Sequence, residues 1–314
     1  MTATATRSRG EQPTRSLAQP GQKDFPFIML NIQNKLHVLL SILTFQSKGC
    51  PYCKGKDTRK IGRNAPLSHV RECQGCGLMY RWPKQTDKFN KIFYQFRYIN
   101  LASENMHLPS PQEARLLLDD GFRNHATHLG DKVRVVKMIQ PTGRLCVYGA
   151  NWGYEVAQLA AGGYGASGFE LSEPRAHFAR EHLNLDVLSN LDVVEQEGPY
   201  DLVYCSHTME HLPDPRPTLE YFRRVCRPGG HLIIFVPNCG GDSAKRLGVH
   251  WGPFSSSLHP LSYQSKFFQR ALPEHGFEFL EAASDPYRFD SNGKLASSDL
   301  SGDELLIIAR RRES

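Results

Sequence analysis

One short segment of this chain combines an apolar run with a glycine-rich turn: Leu145-Cys146-Val147-Tyr148-Gly149-Ala150-Asn151-Trp152-Gly153. Its first half is a short apolar run that ends in glycine, which is typical of a buried parallel strand. A helical segment is predicted at 154–161, so Gly149 to Gly153 form the turn between strand and helix. Glycine at such a turn lets a ligand approach the backbone closely. The stretch therefore predicts a ligand-binding strand–turn–helix unit.

A carboxylate follows this turn at the distance that is typical of nucleotide-binding folds. Glu170 ends a second predicted strand, Gly165-Ala166-Ser167-Gly168-Phe169. A carboxylate about twenty residues after the glycine turn can accept hydrogen bonds from both hydroxyl groups of a ribose. Position 151 is not glycine, and no Lys-Ser or Lys-Thr pair follows. A site for a pyrophosphate or a triphosphate is therefore poorly supported.

The chain after residue 143 alternates between short apolar runs and helical segments. Besides the two strands above, the pattern predicts strands at 201–205 and 231–236 and helices at 154–161, 174–183 and 215–227. This alternation predicts an α/β protein with a doubly wound parallel sheet. Two late apolar runs, 277–283 and 304–310, have no helical segment between them. They predict an antiparallel pair of strands at the end of the domain.

Several phrases occur in a characteristic order within this region. Gly168-Phe169-Glu170-Leu171-Ser172 is followed by Tyr200-Asp201-Leu202-Val203-Tyr204-Cys205-Ser206-His207-Thr208-Met209-Glu210-His211-Leu212-Pro213, and then by Arg227-Pro228-Gly229-Gly230 before an apolar run. In this order they resemble the class I S-adenosylmethionine-dependent methyltransferases over about residues 143–311. The resemblance implies a Rossmann-like fold, a doubly wound seven-stranded sheet whose last strand is antiparallel.

The same resemblance implies an S-adenosylmethionine site and its residues. The methionine part of the cofactor would lie over the turn, its ribose at Glu170 and its adenine near Asn190 and Leu191. Cys205 and Ser206 would lie at the end of the fourth strand. The residues so implied are Gly149, Ala150, Asn151, Gly153, Glu170, Leu171, Asn190, Leu191, Cys205 and Ser206. Two positions depart from the family pattern, because Val147 replaces an acidic residue and Asn151 replaces the middle glycine. A catalytically inactive methyltransferase fold that serves as a binding module is therefore an alternative.

Four of the eight cysteines form two CxxC pairs, Cys50-Pro-Tyr-Cys53 and Cys73-Gln-Gly-Cys76. Two such pairs around a hairpin match the ligand set of one tetrahedral zinc ion. Four thiolates leave no coordination position for water, so this zinc is predicted to be structural. A disulfide framework is the competing interpretation, but no secretory signal precedes the pairs and a reducing compartment disfavours it.

Composition divides the chain into five segments. We expect a disordered tail at 1–23, an amphipathic helix at 24–47, a zinc ribbon at 48–82, a helical linker or cap at 83–140 and the methyltransferase domain at 141–314. Residues 1–49 carry a net charge of +4 and residues 50–100 a net +8, whereas the remaining residues sum to −6. An anionic partner is thus expected to meet the front of the molecule. The lack of an apolar span or a signal sequence predicts a cytoplasmic protein without a membrane span.

Histidines are the candidate general bases for a hydroxyl acceptor, because imidazole titrates near neutral pH. His207 follows the fourth strand, where open α/β sheets place their sites. His259 lies in a stretch that is predicted to be irregular, before the last helix. In the methyltransferases that the chain resembles, this stretch lines the acceptor pocket. Glu210 and His211 are expected instead to cap and pack the following helix.

The identity of the acceptor is left open by the sequence. The cysteine pairs followed by Trp82-Pro83 and Phe93-Tyr94 are similar to the N-terminal part of bacterial methyltransferases of glycan and natural-product pathways. This resemblance implies a small-molecule substrate, a sugar or its conjugate, and an anionic one would suit the basic front. The alternative is a zinc-ribbon methyltransferase of ribosomal RNA, since basic and aromatic side chains at 80–98 also suit RNA.

Overall fold

Most of the predicted zinc ribbon and the whole α/β region lie within the part of the chain that the structure describes. This computed structural model describes residues 47–66, 68–86, 94, 107–256, 258–296 and 299–313. The predicted tail at 1–23 and the predicted amphipathic helix at 24–47, apart from Ser47, lie outside the described residues. Much of the aromatic and basic stretch at 80–98 lies outside them as well.

The cysteine pairs belong to a small antiparallel sheet. Its strands in chain order are β1 (Thr58–Ala65), β2 (Ser68–Cys73) and β3 (Met79–Trp82). The hairpin β1–β2 separates the two CxxC turns, as the spacing predicts. We refer to residues 47–82 as the cysteine module.

A seven-stranded sheet forms the larger part of the structure. Its strands are β4 (Arg144–Tyr148), β5 (Gly165–Phe169), β6 (Val187–Leu188), β7 (Tyr200–Ser206), β8 (Cys226–Pro237), β10 (Phe277–Ser284) and β11 (Glu304–Arg311). Their order across the sheet is β10-β11-β8-β7-β4-β5-β6. Strand β11 is antiparallel to both of its neighbours, whereas β4 to β8 pair in parallel. The predicted doubly wound sheet with an antiparallel last strand is confirmed.

Helices connect the strands and cover both faces of this sheet. They are α1 (Pro111–Asp120), α2 (Gly130–Ile139), α3 (Tyr154–Ala161), α4 (Glu173–Leu183), α5 (Leu191–Glu197), α6 (Arg216–Val225), α7 (Asp242–Leu247), α8 (Gly252–Ser255) and α9 (Ser265–Glu274). Helix α1 begins at a capping box, in which the Ser110 hydroxyl accepts from the Glu113 amide and the Glu113 carboxylate accepts from the Ser110 amide. In the part of the chain that the structure describes, no helix has the length and apolar character needed to span a membrane.

Alternate side chains of the central strands enter two separate apolar layers. Cys146 of β4 and Ile234 of β8 pack in one layer, and Val147 and Ile233 pack in the other. Both layers are covered by helices, which is why these strands are continuous apolar runs rather than alternating ones. Helix α2 contributes to the second layer through its buried valines, so the packed α/β unit extends upstream of residue 141.

A short strand from the α/β region joins the cysteine module to it. Strand β9 (Leu261–Ser262), between α8 and α9, pairs antiparallel with β3. The small sheet therefore has the order β1-β2-β3-β9. The segment 238–264, which leads from β8 to α9 and which we call the insertion, is thus fixed to the cysteine module by backbone hydrogen bonds.

Two predicted helices have different boundaries in the structure. The predicted helix 215–227 ends at Val225, because β8 already begins at Cys226 and pairs with Tyr200 before its register shifts. The predicted helical region at 111–138 is two helices, since the left-handed Gly121 ends α1. The stretch around His259 is irregular at 258–260, as predicted, but it lies between the helices α7 and α8 upstream and the short strand Leu261–Ser262.

Candidate functional site

The turn between β4 and α3 has the backbone shape that a ligand approach requires. Gly149 and Gly153 have positive φ angles of 89° and 94°, and Asn151 has one of 54°. The amides of Gly149 and Ala150 both donate to the Phe169 carbonyl, at 2.8 Å each. These bonds hold the turn against the end of β5. The predicted cofactor residues of the turn are thereby brought beside Glu170.

Glu170 connects the two strand ends directly. Its Oε2 accepts from the Asn151 amide at 2.9 Å, and its Oε1 accepts from the Ser172 amide at 2.8 Å. Burial outweighs these hydrogen bonds and raises the pKa of Glu170 to about 7. A carboxylate has about four lone-pair positions. The two amides therefore leave acceptor capacity for the hydroxyl groups of a ribose.

The two departures from the family pattern have structural explanations. Asn151 lies in the left-handed region, which asparagine tolerates better than most residues and which a glycine would also adopt. Its side-chain oxygen accepts from the guanidinium of the fully buried Arg175. Val147 is fully buried in the second apolar layer. The turn is thus intact despite both substitutions.

An aromatic cluster covers the outer side of the turn. Trp152 stacks on Phe122 at 6.0 Å between ring centroids and meets Phe178 of α4 edge-on at 6.5 Å. Ala114 of α1 is buried in the same cluster. Residues of the segment 107–129 are therefore packed against the turn.

The remaining predicted cofactor residues occupy different environments. The exposed Asn190 caps α5, because its Oδ1 accepts from the Asp192 amide at 2.9 Å, and Leu191 packs on the first apolar layer. Leu171 lies beside Glu170 and is half-buried. Cys205 is buried within β7, whereas the Ser206 hydroxyl accepts from the Lys132 ammonium at 3.2 Å.

His207 is held between two carboxylates at the end of β7. Its Nε2 lies 2.5 Å from Glu304 Oε2, and its Nδ1 lies 3.3 Å from Glu210 Oε1. Partial desolvation opposes protonation of this half-exposed imidazole, but the hydrogen bonds to Glu210 and Glu304 outweigh it and raise the pKa to about 9. His207 is therefore protonated at neutral pH. Lys132 also pairs with Glu304, at 2.5 Å.

His259 has the opposite electrostatic character. Burial and the neighbouring His211 lower its pKa to about 3, so the imidazole is neutral. The rings of His211 and His259 meet edge-on at 4.7 Å between centroids. Glu210 contacts His207 and precedes His211, so the two predicted bases belong to one connected group. This group, which we call the histidine cluster, consists of His207, Glu210, His211 and His259.

Glu210 and His211 do not cap the following helix, contrary to expectation. They lie in a 3-10 turn, Met209–His211, whereas α6 begins after Pro215 and the Arg216 amide donates to Asp214 Oδ1. Three further residues that the sequence patterns did not indicate also lie in this region: Lys132, Glu304 and Thr208. Thr208 packs directly against Gly149, where an added Cβ would overlap its hydroxyl. It thus connects the cofactor turn to the histidine cluster.

The four cysteines of the module form one compact group, which we call the cysteine cluster. Cys50 Sγ lies 3.6 Å from Cys76 Sγ, and Cys53 Sγ lies 3.4 Å from Cys73 Sγ. All four sulfur atoms lie within 4.8 Å of one another, and none is in a disulfide. A tetrahedron with Zn–S bonds of about 2.3 Å has sulfur–sulfur edges of about 3.8 Å. The donor set and its spacing fit a zinc ion.

The cysteine module contacts the insertion that carries His259. The amide of Arg81 donates to the Pro260 carbonyl at 2.8 Å, and its guanidinium donates to the Ser256 carbonyl at 2.7 Å. The Gln264 side chain donates to the Gly77 carbonyl at 3.0 Å. These contacts flank His259 on both sides in the chain, so the module determines the position of this histidine.

Curated relatives match only part of the chain. The ubiquinone biosynthesis O-methyltransferase of Acinetobacter baylyi is 28% identical over 99 residues, which are 29% of this chain and 42% of that protein. The ubiquinone biosynthesis O-methyltransferase of Cupriavidus pinatubonensis is 27% identical over 164 residues, which are 50% of this chain and 59% of that protein. The chain thus spans about two to three fifths of the length of these relatives.

Solved structures of similar fold include a methyltransferase from Thermotoga maritima, described as a possible histamine N-methyltransferase, and an S-adenosylmethionine-dependent methyltransferase from Archaeoglobus fulgidus. The first has a TM-score of 0.46 and 18% identity and covers 64% of this chain and 95% of its own. The second has a TM-score of 0.44 and 16% identity and covers 62% of this chain and 99% of its own.

The family itself is established by a match over half of the chain. The sequence model of the methyltransferase domain family matches residues 126–282, from the cap through β10. This range includes the glycine turn, Glu170 and the histidine cluster. Together with the seven-stranded sheet and its antiparallel last strand, the match shows that the chain belongs to the class I S-adenosylmethionine-dependent methyltransferases.

Proposed function

We propose that this chain transfers a methyl group from S-adenosylmethionine to a hydroxyl group of a small molecule. One observation carries the proposal: Thr208 packs against Gly149 of the intact turn and is followed at once by the histidine cluster. A cofactor site and a site with proton-transferring groups thus adjoin at the carboxyl edge of the sheet. Open α/β sheets bind their ligands at this edge. The names of the O-methyltransferase relatives support the reaction type.

The turn and Glu170 would hold the cofactor. Gly149, Asn151 and Gly153 adopt positive φ angles that most residues avoid, and this backbone shape would let the cofactor approach the turn closely. Ionised Glu170 would accept from the ribose hydroxyls, with Asn190 and Leu191 near the adenine. When bound, S-adenosylmethionine supplies an activated methyl group and a neutral thioether leaving group.

The histidines would handle the proton of the acceptor hydroxyl. His207 and His259 are both proposed to act there, but in different protonation states. His207 is protonated and directs its two N–H groups to Glu304 and Glu210, so it would position the acceptor through its charge. Neutral His259 presents a lone pair that can accept the hydroxyl proton. The carboxylates of Glu210 and Glu304 keep the His207 charge in place.

We propose a polar acceptor, a sugar or its conjugate. Charged and imidazole groups surround the acceptor side, and such groups suit a ligand that has several hydroxyls. The competing acceptor is a phenol, to which the ubiquinone-pathway names of the relatives point.

The acceptor class can be tested by measuring S-adenosylhomocysteine release from zinc-loaded protein. A nucleotide sugar, a catechol and a short RNA hairpin are offered separately. Turnover with the sugar alone supports the full proposal, whereas turnover with the catechol keeps the reaction and changes the acceptor. Turnover with RNA alone would overturn a small-molecule substrate. A His259→Gln variant should lose turnover, and a His250→Gln variant, altered at an exposed histidine, should retain it.

We also propose that the cysteine cluster holds one structural zinc ion. All four donors are cysteine sulfurs, so no coordination position remains for a substrate. Metal analysis of the purified protein should give one zinc per chain. A Cys76→Ser variant should contain less than one tenth of that amount.

A further inference from the structure

A second group of potential metal ligands lies in the histidine cluster, apart from the cysteine cluster. Glu210, His211 and His259 each offer one potential ligand atom, and these three atoms lie within 4.8 Å of one another. We propose that these three residues form a second metal site, which takes a divalent transition-metal ion. Metal–ligand bonds of about 2.0–2.2 Å would require the ligand atoms to move closer to one another by at most about 1.4 Å from their present separations. Side-chain rotation provides a movement of this size.

Buried atoms without hydrogen-bond partners point to an absent ligand. Glu210 is 1% exposed, and its Oε2 has no hydrogen-bond partner among the described residues. The buried Nδ1 of His259 likewise has none among them. A buried carboxylate oxygen without a hydrogen-bond partner destabilises the folded protein, and such atoms are rare in native structures. A bound cation would satisfy both atoms at once.

The other atoms of the same side chains are already held by neighbours. Glu210 Oε1 contacts His207 at 3.3 Å, which leaves Oε2 as the ligand oxygen. His211 Nδ1 lies 3.0 Å from the Leu258 carbonyl. Since a carbonyl only accepts, His211 carries its proton on Nδ1 and its lone pair on Nε2. Metal-binding histidines are typically oriented in this way by a carbonyl or a carboxylate.

The donor set indicates the class of metal. Two imidazoles and one carboxylate suit Zn²⁺, Fe²⁺, Co²⁺ or Mn²⁺ rather than Ca²⁺, which prefers oxygen ligands alone. Three protein ligands leave at least one open position, in contrast to the closed cysteine cluster. If the proposed function holds, a hydroxyl of the acceptor fills that position, and the cation promotes loss of its proton. With the cation bound, His259 would serve as its ligand, and in the metal-free site it would keep the proton-accepting role proposed above.

The surrounding charges limit the affinity of the site. The cations that act electrostatically on His259 are His207, His211 when protonated, and Arg81. Glu210 is the one carboxylate among these interacting groups. We therefore expect binding that is weaker than that of zinc to the four thiolates, so that the two sites fill in order.

Cobalt titration of the zinc-loaded chain tests the site without reference to activity. The wild-type protein should bind one further equivalent of Co²⁺ and show visible d–d bands without the charge-transfer bands that a site of four thiolates would give. Glu210→Gln and His259→Gln should each weaken this binding at least tenfold. The exposed His250→Gln should bind as the wild type does.

The outcomes separate this inference from the proposed function. Saturation at one metal per chain, or equal Co²⁺ affinity in all variants, would overturn the second site even if methyl transfer is found. Binding of the second equivalent by a protein that has no methyltransferase activity would support the site and refute the function. Circular dichroism of each variant identifies misfolding, and the wild-type stoichiometry decides the question if a variant does not fold.

Discussion

Replacing Gly149 by alanine should destabilise the protein for two reasons, backbone strain and overlap with Thr208. Gly149 has a φ of 89°, where an alanine costs about 1–2 kcal/mol in conformational strain. In addition, the new Cβ would lie 2.9 Å from Thr208 Cβ and still closer to the Thr208 hydroxyl. Overpacking of this kind costs about 1–3 kcal/mol. We expect Gly149→Ala to lower the free energy of unfolding by about 2–5 kcal/mol.

Gly163 provides a matched control for the conformational part. It has a φ of 96°, and a Cβ added there would meet no atom within 4 Å. Gly163→Ala should therefore cost about 1–2 kcal/mol alone. The difference between the two variants measures the overlap with Thr208.

A double-mutant cycle with Thr208→Ala checks where the overlap arises. Thr208→Ala removes the nearest hydroxyl and methyl atoms but also a 3.1 Å hydrogen bond to the Ser206 carbonyl, which is worth about 0.5–1.5 kcal/mol. In the Gly149→Ala background we expect the second substitution to restore about 1 kcal/mol. The assay is urea unfolding of zinc-loaded protein. Equal losses for Gly149→Ala and Gly163→Ala, or additivity of the double mutant, would refute the described packing.

Three further predictions concern pH and zinc. The affinity for S-adenosylmethionine should increase as the pH rises through about 7, because Glu170 must ionise to accept hydrogen bonds from the ribose hydroxyls. Calorimetry between pH 6 and 8 measures this affinity. An equal increase in Glu170→Gln would contradict the prediction. The folded pKa of His207, about 9, exceeds its unfolded value, so its ion pairs stabilise fully below about pH 6.5 and their contribution vanishes as the pH rises through 9. For this half-exposed side chain, the loss of stability is on the order of 1 kcal/mol after solvent screening. The difference between the urea midpoints at pH 6 and pH 9.5 should therefore be smaller in His207→Gln than in the wild type. Removal of zinc should speed amide hydrogen exchange in β9, because β9 pairs with β3 of the cysteine module. Exchange in β4 should remain slow. Unchanged exchange in β9 would show that the cysteine module does not hold the insertion in place.

The central α/β unit was predictable because its determinants are local. Helix α3 (Tyr154–Ala161) matches its predicted bounds, since Gly153 and Gly162 flank it and its apolar residues recur at helical spacing. The two late strands followed from short apolar runs without a helix between them. The cysteine cluster followed from spacing alone, because a CxxC turn places both sulfurs on one side.

Features that depend on distant residues were not predictable from one sequence. Lys132 and Glu304 lie 172 positions apart and pair only because α2 covers the edge where the antiparallel β11 begins. The pairing of β9 with β3 joins two segments that looked like separate domains. The start of β8 at Cys226 was hidden by the Pro-Gly-Gly phrase, which usually indicates a turn. Tertiary pairing with β7 overrides that local signal.

A methyltransferase must bind its methyl donor, and calorimetric titration of the zinc-loaded protein with S-adenosylmethionine measures this directly. We predict micromolar binding at a stoichiometry of one per chain, lost in Glu170→Gln and retained in Glu181→Gln, which alters an exposed glutamate of α4. S-adenosylhomocysteine should compete for the same site. Absence of binding by a folded, zinc-loaded protein, or unchanged binding by Glu170→Gln, would contradict the assignment of the site at the turn between β4 and α3.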